Sequence, residues 1–458
     1  MSAGHVFAVR ADLTHLACDD IVVPTDRGLN VTDHWLEVLG GRRPRLSDLQ
    51  DAEAWEKRRF ARAKSLPDDG PRVWLVDTGG TTGRPVEWYV HAVRNVLEAI
   101  AACDETPLHR RERRLTALPL VGVGEGGASA KRGDVIAAIL ELLDERAADG
   151  QDLALVLWTD RDHAAVQHVR RLRDEKLPDE SQEATATALA DRARRRELAL
   201  FLGAGVSASA GLPLWDALLG LLLERAGVAV DEAKKIGKLD ARDAATLAVR
   251  KLGGTSALPE ALRAILPQRR YGLAHALLAA LPVAQTVTTN YDELFETARR
   301  DQGRPVAVLP FEEPAEEWLL KVHGDLGTGK GIVLTRDDYL RFGERSGALS
   351  GVVQGMLMTK HVLFAGFSFT DENFFRMAHA TRQALVEAGK PRGMGTALEL
   401  RGDLVKRSLW AGELEYLSMD GADDASAARK LEIFFDRVVQ LATDDVSFLL
   451  DPVYDSLK

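Results

Sequence analysis

Asn290 and Asp292 stand in "TTNYDELFE" (288–296), after an apolar run and before a helical pattern. A carboxamide and a carboxylate at a strand end cost burial energy unless something pairs with them. Either they cap the helix that follows, by accepting from its free N–H groups, or they face a ligand. Three other stretches pose the same choice. "LALFLGAGVSASAGLP" (198–213) sets Gly203, Ala204, Gly205 and Ser207 directly after a strand pattern and before a helix. Glycines there let the backbone approach a phosphate, and a helix N-terminus favours negative charge. The alternative is an ordinary tight turn, since Ala208 stands where G-x-G-x-x-G needs its last glycine. "KVHGDL" (321–326) carries His323 and Gly324. His323 is either a ligand-facing group or a hydrogen-bonded core histidine. "FAGFSFTDENF" (364–374) carries Gly366, Ser368, Asp371 and Asn373, the last two also open to a helix-cap reading.

The elements that must position these residues are strands. In open α/β sheets, ligands bind beyond the carboxyl ends of the strands. Four polar clusters at four strand ends therefore converge on one crevice. Strand patterns in this half are "ELALFLG", "VAQTVTTN", "RPVAVLP", "WLLKVHGDL", "KHVLFAGFS" and "ELEYLSMD". Residues 216–281 are helical in pattern without a clear strand and read as an insertion. Before residue 174, "HVFAVRAD", "DIVVPTD", "RVWLVDTGG", "RLTALPLVGVGEGG" and "DLALVLWTD" alternate with helical patterns. Such alternation implies an α/β layer structure with a mainly parallel sheet. Residues 174–196 are charged, Ala-rich and poor in large apolar side chains. The expected organisation is an α/β domain over 1–175, a charged linker over 176–196 and a doubly wound domain with a helical insertion over 197–458.

Composition removes several function classes. The 458 residues are 46% hydrophobic and 28% charged, with a net charge of −10. Those are values of a soluble globular protein, and the acidic balance disfavours general nucleic-acid binding. Cys18 and Cys103 are the two cysteines, and neither lies in a C-x-x-C pair. A four-cysteine zinc site is thus impossible, and the count suits a reducing cytoplasm. The first residues lack the basic start and apolar core of a secretory signal. No apolar run is long enough to span a bilayer.

The second-half motifs, taken together, resemble the sirtuin family over about residues 197–440. "GAGVSASAGLP" is similar to its G-A-G-x-S-x-x-x-G-x-P signature, "TNYD" to its N-x-D element, "HG" to its catalytic His-Gly and "GFS" to its ribose loop. The departures point to one branch. Deacylases of the family carry four zinc-binding cysteines and continue the first motif as P-D-F-R. Here the continuation is Pro213, Leu214, Trp215, Asp216. "G-x-P-x-W-x-x-L" and "GFSFTDENF" look more like the sirtuin-like domains of bacterial anti-phage defence proteins, which hydrolyse NAD to nicotinamide and ADP-ribose.

That resemblance implies Asn290, His323 and Asp292 as the catalytic residues, with no metal. His323 would polarise a ribose hydroxyl or a water, Asn290 would place the ribose or the attacking water, and Asp292 would hold the nicotinamide amide or a water. It implies NAD contacts from Gly203, Ala204, Gly205, Ser207, Pro213, Trp215, Thr289, Gly366, Ser368, Asp371 and Asn373. The expected protein is a cytoplasmic homo-oligomeric NAD hydrolase with a possible second defence protein such as an ATPase. The other readings are an ADP-ribosyl or acyl transferase and a nucleotide-binding regulatory subunit.

The first half resembles a macro domain over about residues 5–172. "RADLTHLACDDIVVPTD" is similar to its G-D-I-T … D-A-I-V-N-A-A-N opening, and "ALPLVGVGEGGASAKRGDVIAAILELL" to its later phosphate loop and helix. Ala11 replaces the first glycine, and "VPTD" replaces N-A-A-N, so Asp26 stands where the family has an Asn. The resemblance implies an ADP-ribose-like ligand or another nucleotide signal. Asp12 would touch its adenine, Asp26 would lie nearby, and Gly122, Gly124, Gly126 and Gly127 would cradle its phosphates. Hydrolysis of that ligand is not expected. The alternative is an α/β packing domain without a ligand.

Overall fold

Runs such as "DLALVL" and "LALFL" are apolar at nearly every position, as strands covered on both faces must be. In the computed structural model, which describes all residues except 1–2, 65–69, 81–82, 125–126, 174–175, 268 and 390–392, both runs are strands buried at every residue. The chain divides into two compact units. One comprises Met1–Thr187, Ala276–Ala280 and Glu432–Lys458; the other comprises Ala188–His275 and Leu281–Leu431.

The first unit holds β1 (His5–Arg10), β2 (Asp20–Thr25), β3 (Phe60–Arg62), β4 (Arg72–Asp77), β5 (Leu115–Pro119) and β6 (Asp152–Leu157). Their order across the sheet is β1-β6-β5-β2-β4-β3. All pairs are parallel except β3 with β4. β3 is not among the strand patterns of the sequence, because three residues are too few to display a period of two.

The second unit holds β7 (Leu198–Leu202), β8 (Gln285–Thr288), β9 (Ala307–Leu309), β10 (Trp318–Lys321), β11 (His361–Ala365), β12 (Gly395–Glu399) and β13 (Leu414–Ser418). Its order is β13-β12-β11-β7-β8-β10-β9, parallel throughout. The order reverses direction between β7 and β11, the place where such sheets open a crevice. Phe201, Val287, Leu320, Phe364 and Phe374 pack the core of this sheet. β12 carries no strong apolar signal, since Gly395 and Thr396 open it. A Cβ at Gly395 would lie 1.9 Å from the Val362 carbonyl oxygen, so close backbone approach replaces side-chain pattern there.

The helical insertion is present as Trp215–Arg225, Val230–Ile236, Ala241–Lys251 and Leu258–Ile265, with Leu273–Ala280 leading to β8. Its core, including Leu218, Leu222 and Leu262, also buries Tyr291, Leu326 and Leu334. The insertion therefore holds the loops that follow β8 and β10. The charged stretch 176–196 contains the helix Glu180–Arg194, whose Ala186, Leu189, Ala190 and Ala193 are buried. Among the described residues no helix is long and apolar enough to cross a membrane.

Candidate active site

Glycine chemistry brings two of the four loops together. Gly203 follows β7 and precedes the short helix Ala204–Ala208; Gly366 follows β11. The Gly203 N–H donates to the Ala365 carbonyl at 2.9 Å, and the Gly205 N–H to the Gly366 carbonyl at 2.9 Å. A Cβ on Gly203 would sit 2.5 Å from Gly366 O, and one on Gly205 2.7 Å from Gly366 Cα. Gly366 adopts φ +63°, a left-handed conformation that favours glycine. The seam admits no side chain from any of the three residues.

Beside the seam, Asn290 follows β8. Its Nδ2 donates to the Gly203 carbonyl at 3.2 Å and to Ser207 Oγ at 3.0 Å. Its Oδ1 is buried and has no hydrogen-bond partner. The Ser207 hydroxyl donates to Asp292 Oδ2 at 2.8 Å, and His275 Nε2 lies 3.2 Å from the same Oγ. Asp292 Oδ1 also accepts from the Leu294 N–H at 3.2 Å. Asp292 thus ties the start of the following helix while its second oxygen serves the Ser207 network. Asn290 caps nothing with its side chain. Thr289 is half-buried, and its N–H donates to the Leu202 carbonyl at 3.2 Å.

Tyr291 separates Asn290 from Asp292 and turns into the insertion core. Its hydroxyl donates to the Val333 carbonyl at 2.7 Å, and its own carbonyl accepts from the Leu326 N–H at 3.0 Å. Below this loop lies Lys321, only 1% exposed. Its Nζ donates to the Asp292 carbonyl at 2.7 Å and pairs with Glu296 at 2.6 Å and Asp325 at 2.7 Å. Burial opposes the Lys321 charge, but the two carboxylates outweigh it and raise its pKa. Burial likewise pushes Glu296 up to about 7, against the pull of Lys321. The sequence reading did not single out Lys321, Glu296 or His275.

His323 follows β10 and is 5% exposed. Its Nε2 lies 3.3 Å from Asp371 Oδ2, an ion-pair distance without hydrogen-bond geometry, and has no hydrogen-bond partner. Burial lowers its pKa, with the Asp371 charge pulling the other way. At neutral pH the imidazole is neutral and able to take up a proton. Asp371 Oδ1 accepts from Phe374 N–H at 2.8 Å, capping Glu372–Glu387, while Oδ2 accepts from the Tyr339 hydroxyl at 2.8 Å. Tyr339, also absent from the sequence reading, stands edge-on to His323 with ring centroids 5.7 Å apart.

Asn373 is 1% exposed, and both polar atoms of its side chain lack a partner. The Trp215 indole N–H is buried without an acceptor. Pro213 is half-buried, whereas Ser368 is exposed and its hydroxyl meets Thr370 Oγ1 at 2.8 Å. The structure therefore gathers Gly203, Gly205, Ser207, Asn290, Asp292 and Gly366 into one bonded cluster. His323 and Asp371 form a second pairing beyond β10.

In the first unit, Asp12, Asp26 and Gly122 follow β1, β2 and β5, at the same edge of the parallel sheet. Asp12 accepts from the Thr14 N–H at 2.9 Å and Oγ1 at 2.7 Å, and faces His34 Nε2 at 3.3 Å. Burial opposes its charge, but the bonds from His34 and Thr14 hold it below the usual carboxylate range. Asp26 closes a turn by accepting from Asn30 N at 2.9 Å and Nδ2 at 2.9 Å. Gly122 has φ +84°, and a Cβ there would meet the Tyr89 ring at 2.5 Å. Gly124 faces open space, and Gly127 has φ +79°. Gly126 lies outside the described residues.

Residues 284–413, which include Asn290, His323 and Gly366, match the family model of the SIR2-like domain. The C-terminal half carries a SIR2-like domain. Curated relatives agree with it. The NAD(+) hydrolase ThsA of Enterococcus faecium is 34% identical over 212 residues, 42% of this chain and 41% of its own. The Defense-associated sirtuin 2 of Bacillus subtilis is 26% identical over 211 residues, 43% of this chain and 20% of its own. The NAD(+) hydrolase ThsA of Bacillus cereus (strain MSX-D12) is 29% identical over 197 residues, 41% of this chain and 40% of its own. The chain thus spans less than half the length of each of these relatives. Among solved structures, a mutant Oceanobacillus iheyensis macrodomain aligns with 38% of this chain and 95% of its own at 14% identity. The TM-score is 0.27.

Proposed function

We propose that the SIR2-like domain hydrolyses NAD at the nicotinamide–ribose bond, releasing nicotinamide and ADP-ribose, as an effector of bacterial anti-phage defence. The observation that carries this reading is a set of buried polar atoms left without partners on one edge of the sheet. Asn290 Oδ1 and His323 Nε2 follow the adjacent strands β8 and β10, beside the close-packed glycines of β7 and β11. Buried polar groups are normally hydrogen-bonded, so such atoms mark where a polar ligand completes the set. Relatives named NAD(+) hydrolase support the choice of ligand.

The chemistry needs little acid. When the bond from ribose C1′ to the pyridinium nitrogen breaks, its electron pair stays with nicotinamide, which leaves neutral. Positive charge builds on the ribose, as in glycoside cleavage. A water oxygen then bonds to C1′ and loses a proton. His323, neutral at physiological pH, is placed to receive a proton from water or a ribose hydroxyl. Asn290 offers a carbonyl oxygen to orient that hydroxyl or water. Asp292 holds the adjacent network and, through it, the nicotinamide end. The backbone of Gly203, Ala204, Gly205 and Ser207 takes the pyrophosphate. Gly366 and Ser368 serve the adenosine ribose, with Pro213, Trp215, Thr289, Asp371 and Asn373 lining the rest. No metal enters the scheme.

The remaining parts of the reading concern the whole protein. The catalytic part follows a first domain over about 1–175, which binds a nucleotide signal through Asp12, Asp26, Gly122, Gly124 and Gly127. The protein acts in the cytoplasm as a homo-oligomer, alone or with a second defence protein such as an ATPase. An effector that depletes NAD must be silent until triggered, and a ligand or partner supplies that control through unequal affinity for two states. Chromatography of reaction products from NAD, with light scattering on the same sample, tests both parts. Transfer of ADP-ribose or an acyl group to protein would replace hydrolysis as the reading.

A further inference from the structure

We infer that His275 is a positioning residue of this site, acting through Ser207 to present the Asn290 carbonyl oxygen to the ligand; this rests on the NAD-cleaving reading above. His275 is 1% exposed, in the helix that leads to β8. Its Nδ1 accepts from the Gly272 backbone N–H at 3.2 Å. A backbone N–H only donates, so Nδ1 carries no proton. Burial lowers the His275 pKa to about 4, against the opposing charge of Asp292, so the ring is neutral at physiological pH. A neutral imidazole with a bare Nδ1 carries its proton on Nε2. Nε2 therefore donates to Ser207 Oγ, 3.2 Å away.

The direction of every other bond then follows. The Gly203 carbonyl only accepts, so the Asn290 atom facing it at 3.2 Å is Nδ2. That nitrogen also donates to Ser207 Oγ at 3.0 Å. With two donors on its lone pairs, Ser207 has one direction left for its proton, Asp292 Oδ2 at 2.8 Å. The serine is saturated, and Asn290 is held with both protein contacts on nitrogen. Its Oδ1 alone remains buried and unpartnered. The site thus offers an acceptor at Asn290, suited to a hydroxyl, a water or a carbon gaining positive charge.

The same geometry excludes a nucleophilic serine. In a Ser-His-Asp triad the histidine takes the serine proton and the carboxylate orients the ring. Here the ring donates to the serine, and Asp292 bonds the serine rather than the ring. His275 cannot act as its base. Gly272 makes the arrangement possible, because a Cβ there would lie 2.1 Å from Ser209 Oγ.

The test combines kinetics with the tautomer itself. In the full chain, His275→Gln keeps an N–H donor and should retain turnover within about threefold of the parent. His275→Leu should lose kcat by about 10- to 100-fold, as for a small misplacement of a reacting group, with KM for NAD little changed. In a Ser207→Ala background His275→Leu should add almost nothing, because the two act as one unit. On the wild-type protein, 15N-labelled histidine NMR should find His275 neutral with its proton on Nε2 from pH 8 to pH 6. Equal activity of His275→Leu and wild type, additive losses in the double variant, or a proton on Nδ1 would each overturn the inference. If His275→Leu fails to fold, the NMR spectrum and His275→Gln decide. Absence of nicotinamide release from every oligomeric state of the wild type would refute the reaction instead, and the tautomer would still judge the network.

Discussion

The two units place polar residues at the carboxyl edge of a parallel sheet, and they treat them oppositely. In the first unit, the carboxylates of Asp12 and Asp26 are taken up by Thr14, His34 and Asn30 within their own loops. In the second, Asn290 Oδ1, His323 Nε2 and both polar atoms of Asn373 are buried without a hydrogen-bond partner. A group satisfied by its neighbours stabilises a loop, whereas an unsatisfied buried group costs free energy that a ligand can recover. In the proposed function the reaction therefore belongs to the second edge and recognition to the first.

The sharpest way to break that assignment is to remove its two reactive groups. Asn290→Ala and His323→Ala should each lower nicotinamide release by on the order of 10²- to 10⁴-fold. Thermal melts should show both variants still folded, with Asn290→Ala losing the two Nδ2 bonds to Gly203 and Ser207 and His323→Ala the contact with Asp371. Near-wild-type turnover in both variants would return the polar edge to a structural role. Next in size is Lys321. Lys321→Met leaves Glu296 and Asp325 buried without their cation, and the second unit should lose about 3–5 kcal/mol in denaturant unfolding. An unchanged midpoint would mean that the loop carrying Asn290 is held by other contacts.

Much of this edge was legible in the sequence. Strand ends in a parallel sheet share one side, so four polar clusters after four apolar runs had to lie along one edge. The insertion was legible too, because its helices repeat every three to four residues over a long stretch without a strand pattern. What escaped were partnerships across the chain. "YGLAHALLAALP" reads as an apolar helix, and nothing in it reveals that His275 meets Ser207, 68 residues earlier. Lys321 looks like the polar end of a strand, and its carboxylates come from an earlier helix and from the loop that follows. Tyr291 sits between Asn290 and Asp292 like another site residue, yet its ring faces the insertion core. β12 escaped because backbone contact with β11, rather than side-chain pattern, defines its start.

Buried histidines extend the comparison to stability, with a smaller effect. His163 in the first unit and His275 in the second both have pKa values lowered to about 4 by burial. Unfolded, each takes up a proton near its ordinary value of about 6.5. Between those values the unfolded chain binds more protons than the folded one, so stability falls as pH drops from about 6.5 towards about 4. Each histidine contributes a loss of up to a few kcal/mol across that window. His163→Gln and His275→Gln should each flatten the pH dependence of unfolding in its own unit. Unaltered slopes would show that other groups control acid stability.

The smallest effect is expected at the first edge. With turnover blocked by Asn290→Ala, calorimetry should detect weak ADP-ribose binding that Asp12→Ala reduces by about 1–2 kcal/mol. Binding indifferent to Asp12, in a protein that still binds, would detach the first unit's loops from ligand recognition.

Hydrolysis by the second edge without a metal is tested most directly by chromatography of NAD incubated with the protein, in EDTA, in each oligomeric state that light scattering resolves. Free nicotinamide and ADP-ribose should appear in equal amounts from at least one state of the wild type and be lost in His323→Ala. Intact NAD in every state, products transferred to protein, or turnover that EDTA abolishes and a metal restores would contradict it.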